Sequence, residues 1–245
     1  MKILPNTYHP LIELQDWDIL IILDACRFDY FQKINWYKGQ LHKRISFSSC
    51  TPEWYQSFKG IDMSNIVYVS GNPYIVSFEE GKLELGEKFR MIYDSWKTEW
   101  DEELQTVSPE KMTKKALEIW EGYKDYKIVL HYMQPHQPYI GEKRIESQGW
   151  GGARAGLLGE ENGGDGKSNP MYRLVIGGKK LKNIIDAYES NLKRVLESLE
   201  PVLKLPGKKV ITADHGEAFG EGGNYGHVEK SVHPVLVEVP WFEVE

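Results

Sequence analysis

The sequence predicts an α/β fold in which helices flank a largely parallel central sheet, and two observations support this. Short, nearly uninterrupted apolar runs recur along the chain, each followed by polar or glycine-containing residues. Such runs are typical of strands buried on both faces of a parallel sheet. Between the runs lie longer segments whose apolar residues repeat at helical spacing. Strands that alternate with helices favour a layered α/β domain.

Four apolar runs are the predicted strands: residues 17–24 (WDILIILD), 66–70 (IVYVS), 126–132 (YKIVLHY) and 209–213 (KVITA). Two helices are predicted between them. The first begins at Ser108, a capping residue followed by Pro109, and ends near residue 123. The second covers about residues 182–199, with prolines after its end. Residues 71–106 are predicted to form a small excursion or hairpin at the sheet edge.

The chain of 245 residues suits one large domain, so residues 1–245 are predicted to form a single unit. Residues 148–169 are dense in glycine and are predicted to form a long loop or mobile lid. The net charge of −6, without a basic stripe, argues against nucleic acid as a partner, because phosphate backbones bind clustered lysine and arginine.

The hydropathy pattern predicts a cytoplasmic protein without membrane contact. The longest apolar run, residues 19–23, is far shorter than the ~20 residues of a membrane helix. The first residues lack the apolar core of a signal peptide. Cys26 and Cys50 are too few for a disulfide framework, and reduced thiols are expected.

Side chains able to bind a metal follow the ends of three predicted strands, where open α/β sheets bind their ligands. Asp24 ends the first, His131 and His136 lie at the end of the third, and Asp214 and His215 follow the fourth. A buried carboxylate is unfavourable unless a positive group meets it. Asp24 alone could equally be a turn or cap residue. The carboxylate–imidazole pair at the fourth strand instead favours a site for Zn²⁺ or Mn²⁺.

Four motifs together resemble the alkaline phosphatase superfamily, in its sulfatase-like branch, which includes sulfatases and phosphoethanolamine transferases. They occur in the superfamily's order: Asp24, then residues 131–139 (HYMQPHQPY), 214–221 (DHGEAFGE) and 226–227 (GH). The resemblance implies an alkaline-phosphatase-like fold. It also implies a metal-dependent enzyme that acts on a small anionic phosphate or sulfate ester.

The resemblance places the nucleophile at the start of a helix after the first strand, which matches residues 48–54 (SSCTPEW). Thr51 is the favoured nucleophile, with its hydroxyl on the metal. Sulfatases carry Cys-x-Pro-Ser-Arg, so Cys50 is the alternative nucleophile. Glu53 and Trp54 replace the serine and arginine of that motif, which argues against the alternative.

The resemblance also assigns the remaining site residues. One metal is implied to be held by Asp24, Thr51, Asp214 and His215. Substrate or a second ion is implied to be bound by His131, His136 and His227. The metal is expected to be Zn²⁺ or Mn²⁺, with Ca²⁺ or Mg²⁺ as alternatives. Gln134 stands where the superfamily often has aspartate, so one tightly held metal is predicted.

The sequence also predicts roles for side chains around the metal ligands. His136, His227 and Arg27 are expected to stabilise the transferring group or protonate the leaving group. For Arg27 the other interpretation is a salt bridge with Asp29. Glu217 and Glu221 are expected to orient His215.

The predicted function is hydrolysis of phosphate mono- or diesters. Three alternatives remain open at this point. The first is a sulfatase that uses Cys50, the second is a phosphotransferase, and the third is a non-catalytic module that binds a metal or a partner.

Overall fold

The computed structural model describes residues 16–75, 89–145, 150–158, 175 and 177–245. Within them the strands, in chain order, are β1 (Ile19–Leu23), β2 (Gly39–Ile45), β3 (Met63–Ser70), β4 (Phe89–Asp94), β5 (Trp100–Asp101), β6 (Thr106–Val107), β7 (Lys127–Tyr132), β8 (Lys209–Thr212), β9 (Ala218–Phe219), β10 (Tyr225–Gly226) and β11 (Glu238–Val244). Seven of them form the central sheet, in the order β2-β11-β8-β1-β7-β3-β4. Two short ladders, β5–β6 and β9–β10, lie outside it.

The central sheet is largely parallel, as predicted. β1 pairs in parallel with β7 and β8, and β3 pairs in parallel with β7 and β4. β11 is antiparallel to both of its neighbours, β2 and β8. The four predicted strands are β1, β3, β7 and β8, and they form the interior of the sheet together with β11.

Helices accompany the sheet over the same part of the chain. Their bounds are α1 (Phe28–Ile34), α2 (Thr51–Trp54), α3 (Ser95–Thr98), α4 (Pro109–Gly122), α5 (Gly151–Leu158), α6 (Leu181–Ser198), α7 (Glu200–Leu203) and α8 (Pro234–Val237). α4 begins as predicted, because the Ser108 side chain accepts a hydrogen bond from the N–H of Lys111 at 3.3 Å. None of the described helices is long and apolar enough to cross a membrane.

β1 lies in the middle of the sheet and is buried on both faces. Its residues alternate between two core clusters. Ile19, Ile21 and Leu23 contact the cluster that includes the buried sides of α4 and α6, whereas Leu20 and Ile22 belong to the cluster on the opposite face. All five are at most 2% exposed. The near-continuous apolar run in the sequence therefore reflects burial from both sides.

The prediction for residues 71–106 is partly wrong, because β4 is a full edge strand of the central sheet. It pairs in parallel with β3, in a register that joins Ser70 to Asp94. β2 and β11 were not predicted from the sequence. β2 (GQLHKRI) mixes charged and apolar residues because it is an edge strand whose side chains are in part exposed.

A glycine-rich loop was predicted at residues 148–169. The prediction is wrong for Gly151–Leu158, which form the helix α5. Its Arg154 side chain donates to the carbonyl oxygen of Trp96 at 3.2 Å and lies over the Trp100 ring at 5.1 Å. These tertiary contacts stabilise a helix that glycine alone would disfavour. Residues 148–149 and 159–169 lie outside the described residues, and the prediction stands there untested.

The buried face of α6 supplies much of the core, and it provides a test of the fold. Leu192 is fully buried, so Leu192→Ala is expected to lower the free energy of unfolding by about 2–5 kcal/mol through lost burial and cavity formation. Chemical denaturation measures this change. The matched control is Lys193→Ala on the next residue, whose side chain is 60% exposed, with an expected change within about 0.5 kcal/mol. An equal loss of unfolding free energy in both variants would contradict the burial of Leu192 in the core.

Candidate metal centre

Side chains at the carboxyl edge of the sheet converge on one buried site. Asp24 follows β1, His131 lies near the end of β7, and Asp214 and His215 follow β8. Thr51 is the first residue of α2. Each of the five is at most 3% exposed. The parallel register places the ends of the three strands side by side, so these residues meet although they are far apart in the chain.

The Thr51 hydroxyl lies against the Asp-His pair. Its Oγ1 donates to Asp214 Oδ2 at 2.6 Å and lies 3.3 Å from His215 Nε2. His215 Nδ1 lies 2.8 Å from the carbonyl oxygen of Gly216, so it is the ring nitrogen that carries a proton there. The Nε2 lone pair of His215 is consequently directed towards the site.

Backbone donors fix the orientation of Asp214. Its Oδ1 accepts hydrogen bonds from the N–H of Ala25 at 3.1 Å and from its neighbour His215 at 2.9 Å. Oδ2 is therefore the oxygen that faces Thr51. This arrangement ties the turn after β1 to the turn after β8.

Asp24 and His131 complete a first group of potential metal ligands with Asp214, and their ligand atoms lie within 4.8 Å of one another. His131 Nε2 lies 3.6 Å from Asp24 Oδ2 and 3.7 Å from Asp214 Oδ2. Among the described residues, Asp24 Oδ1 and His131 Nε2 have no hydrogen-bond partner despite full burial. Buried polar atoms without partners are costly, and a divalent cation bound by oxygen and imidazole ligands would satisfy both.

A second group of potential ligands, His136, Glu217 and His227, also lies within 4.8 Å. His227 Nδ1 is 3.3 Å from Glu217 Oε1, and the rings of His136 and His227 are 5.1 Å apart. The His227 ring is also 4.5 Å from that of His215. The two groups are thus neighbours, with His215 and His227 at their boundary.

Histidine ionisation in the second group follows from burial and from Glu217. Burial lowers the pKa of His136, whose Nδ1 lies 2.6 Å from the carbonyl oxygen of Gln137. Burial would also lower the pKa of His227, but the Glu217 carboxylate outweighs it, and the net shift is upwards. The reciprocal attraction overcomes the effect of burial on Glu217 and lowers its pKa.

The structure differs from the sequence prediction at His131 and Glu217, and at Arg27 it agrees with one of the two interpretations. His131 lies in the first group rather than with His136 and His227. Glu217 contacts His227 rather than orienting His215. Arg27 forms ion pairs with Asp29 at 2.7 Å and Glu221 at 2.6 Å. Its guanidinium is therefore bound by carboxylates, as the salt-bridge interpretation predicts.

Asn72 is a site residue that sequence reasoning missed. Its side-chain nitrogen donates to Asp24 Oδ2 at 2.5 Å and to Thr51 Oγ1 at 3.3 Å. Asn72 is fully buried and follows β3. A signal was present, because it comes just after a predicted strand, as the predicted ligands do.

Comparisons with known proteins find similarity in structure alone. No model of a known protein family matches the chain, and no curated protein matches its sequence. The soluble domain of lipooligosaccharide phosphoethanolamine transferase A from Neisseria meningitidis is 12% identical, with a TM-score of 0.58 over 92% of this chain and 75% of that one. A 2-O GAG sulfatase is 10% identical, with a TM-score of 0.60 over 94% and 64%. The C-terminal periplasmic domain of EcEptC from Escherichia coli, in complex with Zn, is 11% identical, with a TM-score of 0.53 over 94% and 73%.

The chain has the alkaline phosphatase superfamily fold. The resemblance and the fold class predicted from the sequence are thereby confirmed. At these identities the likeness establishes the fold, and function has to be argued from the site.

The prediction of a cytoplasmic protein is wrong. Two structures that share the superfamily fold, the EptC domains from Escherichia coli and Campylobacter jejuni, are periplasmic domains. The error has a simple cause, because hydropathy reports membrane-spanning segments and not the compartment in which a chain works.

Gln134 and Cys50 are two positions on which the resemblance depends, and the structure shows their surroundings. Gln134 donates its side-chain nitrogen to the carbonyl oxygen of Val107 at 3.1 Å and so supports β6. The carboxylate in the second group of ligands comes instead from Glu217. Cys50 is buried and free, and burial raises the pKa of its thiol to about 11.

The Glu217–His227 pair predicts a pH-dependent stability in metal-free protein. The lowered pKa of Glu217 stabilises the fold above its unfolded value near 4.5, and this contribution is lost as pH falls. The raised pKa of His227 stabilises the fold below its unfolded value near 6.5, and this contribution is lost as pH rises through the folded pKa. His227→Gln should therefore cost more unfolding free energy at about pH 6 than at about pH 9.

Urea denaturation of chelator-treated protein at both pH values measures the difference. His42→Gln is the matched control, because His42 lies on an exposed part of β2. It should show no such difference. A His227→Gln cost that is the same at both pH values would contradict an ionised pair.

Proposed function

We propose that this chain is a metal-dependent hydrolase of phosphate esters whose nucleophile is Thr51. The observation that carries the proposal is the position of Thr51 Oγ1, 2.6 Å from Asp214 Oδ2 and 3.3 Å from His215 Nε2. A threonine hydroxyl is a weak nucleophile unless neighbouring groups activate it. Here a buried carboxylate and an imidazole lone pair meet that hydroxyl.

The first group fits a divalent metal. Its three potential ligands, Asp24, His131 and Asp214, lie beside Thr51 and His215, which could bind the same ion. Mixed carboxylate and imidazole donors favour Zn²⁺ or Mn²⁺ over Ca²⁺ and Mg²⁺, which prefer oxygen ligands. The similar EcEptC domain in complex with Zn supports this choice. A metal bound here would lower the pKa of a hydroxyl ligand and offset charge on the transferring group.

The chain's own residues account for the movement of atoms. Thr51 Oγ1 attacks phosphorus in line, and its proton passes to Asp214 Oδ2, with which it already shares a hydrogen bond. The bond from phosphorus to the leaving oxygen breaks, and phosphothreonine remains at position 51. Water then attacks phosphorus, the bond from phosphorus to Thr51 Oγ1 breaks, and the proton on Asp214 returns to Oγ1, which releases the phosphate group and restores the hydroxyl. Asn72 donates to the attacking oxygen and to Asp24, and so fixes the position of the Thr51 hydroxyl relative to the Asp24 carboxylate.

The second group has two possible uses, and the metal count decides between them. With one ion per chain, His227 holds a proton because of Glu217 and donates it to the leaving oxygen. With two ions per chain, His136, Glu217 and His227 are ligands.

Phosphate is favoured over sulfate by the environment of Cys50. A sulfatase of this fold would use that residue after oxidation to formylglycine, so an unmodified Cys50 mass in the purified protein would count against a sulfatase. The carboxylates that act on Cys50 are Glu53 and Glu229, whereas the Asp-His pair meets Thr51. Group transfer to an acceptor other than water is the second candidate, because a phosphoethanolamine transferase shares the fold.

Substitutions at the two adjacent candidate nucleophiles test the proposal. Thr51→Val removes the attacking hydroxyl and is expected to lower kcat for an aryl phosphate by at least about 10³-fold. Thr51→Ser keeps a hydroxyl and should retain part of the activity. Cys50→Ser is the matched control and should keep kcat within the same order of magnitude. Turnover that survives Thr51→Val and disappears in Cys50→Ser would contradict the proposal and favour a sulfatase.

Metal removal and return test the cofactor and the reaction. Chelator-stripped protein should lose turnover of aryl phosphates and regain it with Zn²⁺ or Mn²⁺, because uncompensated buried carboxylates cannot stabilise an anionic transition state. Asp214→Asn should prevent the recovery. Product analysis with an added alcohol acceptor separates hydrolysis from transfer. Metal binding without turnover of any phosphate or sulfate ester would instead indicate a non-catalytic module.

A further inference from the structure

One fully buried amide on α6 holds the backbone of the segment that carries His136. The Asn191 Oδ1 accepts hydrogen bonds from the N–H of Ile140 at 2.8 Å and of Gly141 at 3.1 Å. Its Nδ2 lies 3.2, 3.0 and 3.1 Å from three carbonyl oxygens, those of Pro135, His136 and Pro138. Asn191 is 0% exposed. A single side chain therefore has backbone partners on both sides of His136.

The segment needs such a partner because it has no regular secondary structure. Residues 133–141 lie in neither a helix nor a strand. Pro135 and Pro138 have no N–H, so they cannot donate to a sheet or a helix. Buried backbone carbonyls without partners are costly. The two N–H groups of the Asn191 side-chain amide lie among three of these carbonyls, those of Pro135, His136 and Pro138, and offer them a partner from outside the segment.

His136 itself is fixed from two directions. Its N–H donates to the carbonyl oxygen of Asp24 at 3.1 Å, and its carbonyl oxygen accepts from Asn191 at 3.0 Å. The first contact ties it to the first ligand group, and the second ties it to α6. Its ring then lies against His227, with the ring centroids 5.1 Å apart.

The docking of the segment on α6 is close. A Cβ atom added at Gly141 would lie 2.6 Å from the carbonyl oxygen of Ser190, so only glycine fits at this point. Arg194 adds a hydrogen bond to the carbonyl oxygen of Ile140. α6 is thus a support for the segment as well as a part of the core.

We propose that Asn191 is the positioning residue of the second ligand group, which acts by holding His136 against Glu217 and His227. The inference rests on the proposed function for the role of that group in turnover. The position of His136 does not depend on that function and can be measured separately. Partners that orient metal ligands typically change metal affinity or activity by about 10–100-fold when they are removed.

Three variants separate positioning from general stability. Asn191→Ala removes both halves of the amide. Asn191→Asp keeps an acceptor for Ile140 and Gly141 but removes the donor to the three carbonyls. Ser190→Ala is the matched control on the same helix, because Ser190 accepts from the N–H of Lys143 beyond this segment. The wild type and the three variants are each measured at a temperature the same number of degrees below their own Tm.

The readouts are hydrogen exchange of peptides covering residues 133–141, the rate of His136 modification by diethyl pyrocarbonate, Zn²⁺ titration, and kcat and KM for an aryl phosphate. Asn191→Ala is expected to accelerate hydrogen exchange and His136 modification locally, and to lower kcat by about 10–100-fold.

If the wild type binds two ions, the more weakly bound ion should lose affinity by a similar factor in Asn191→Ala. Asn191→Asp should expose His136 while protecting the amides of Ile140 and Gly141 better than Asn191→Ala does. Ser190→Ala should match the wild type.

Two results would overturn the inference. One is an Asn191→Ala protein with a lowered Tm but wild-type His136 modification, Zn²⁺ affinity and kcat, which would make Asn191 a structural residue alone. The other is loosening of equal size in Ser190→Ala. If the wild type shows no turnover, the proposed function fails, and the His136 modification and hydrogen-exchange rates still decide the role of Asn191.

Discussion

The site depends on two buried carboxylates held at the same edge of one sheet. Asp24 and Asp214 both lie within 3.7 Å of His131 Nε2, and each is at most 1% exposed. Burial alone would raise the pKa of Asp24, but His131, His136 and His215 outweigh it and keep that pKa well below its usual value. The carboxylate therefore stays charged in a dry site. Two such charges need a cation or several imidazoles nearby, and the arrangement of the other residues follows from that need.

Parallel pairing is what brings these charges together. β1 lies between β7 and β8, and the register joins Leu23 to Tyr132 and Ile22 to Thr212. The residues that follow the strands emerge at one edge, within reach of Thr51. The hydrogen bond from the N–H of Ala25 to Asp214 then closes the space between two of the strand ends. The apolar strands thus determine the geometry of the polar site.

The sequence predicted the parts of this arrangement that follow from strand ends. Asp24, Asp214 and His215 were placed together because each follows an apolar run, and Thr51 because the resemblance puts the nucleophile at the start of a helix after the first strand. Other features depend on side-chain direction and tertiary contact, which a pattern does not contain. His131 sits within a strand, and its neighbours across the sheet assign it to the first group. β2 was missed because its exposed charged residues interrupt the apolar pattern of a strand. α5 was missed because its glycines disfavour a helix that tertiary contacts stabilise.

The two ligand groups differ in a way that affects how each would hold an ion. The first offers two carboxylates, and its three side chains are at most 2% exposed, so an ion there would be strongly attracted and shielded from water. The second offers one carboxylate and two imidazoles, and the His227 side chain is 21% exposed. Less negative charge and more solvent both weaken binding. Because His215 and His227 lie at the shared boundary, a cation in the first group would also repel one in the second. An ion would therefore be bound more tightly by the first group than by the second.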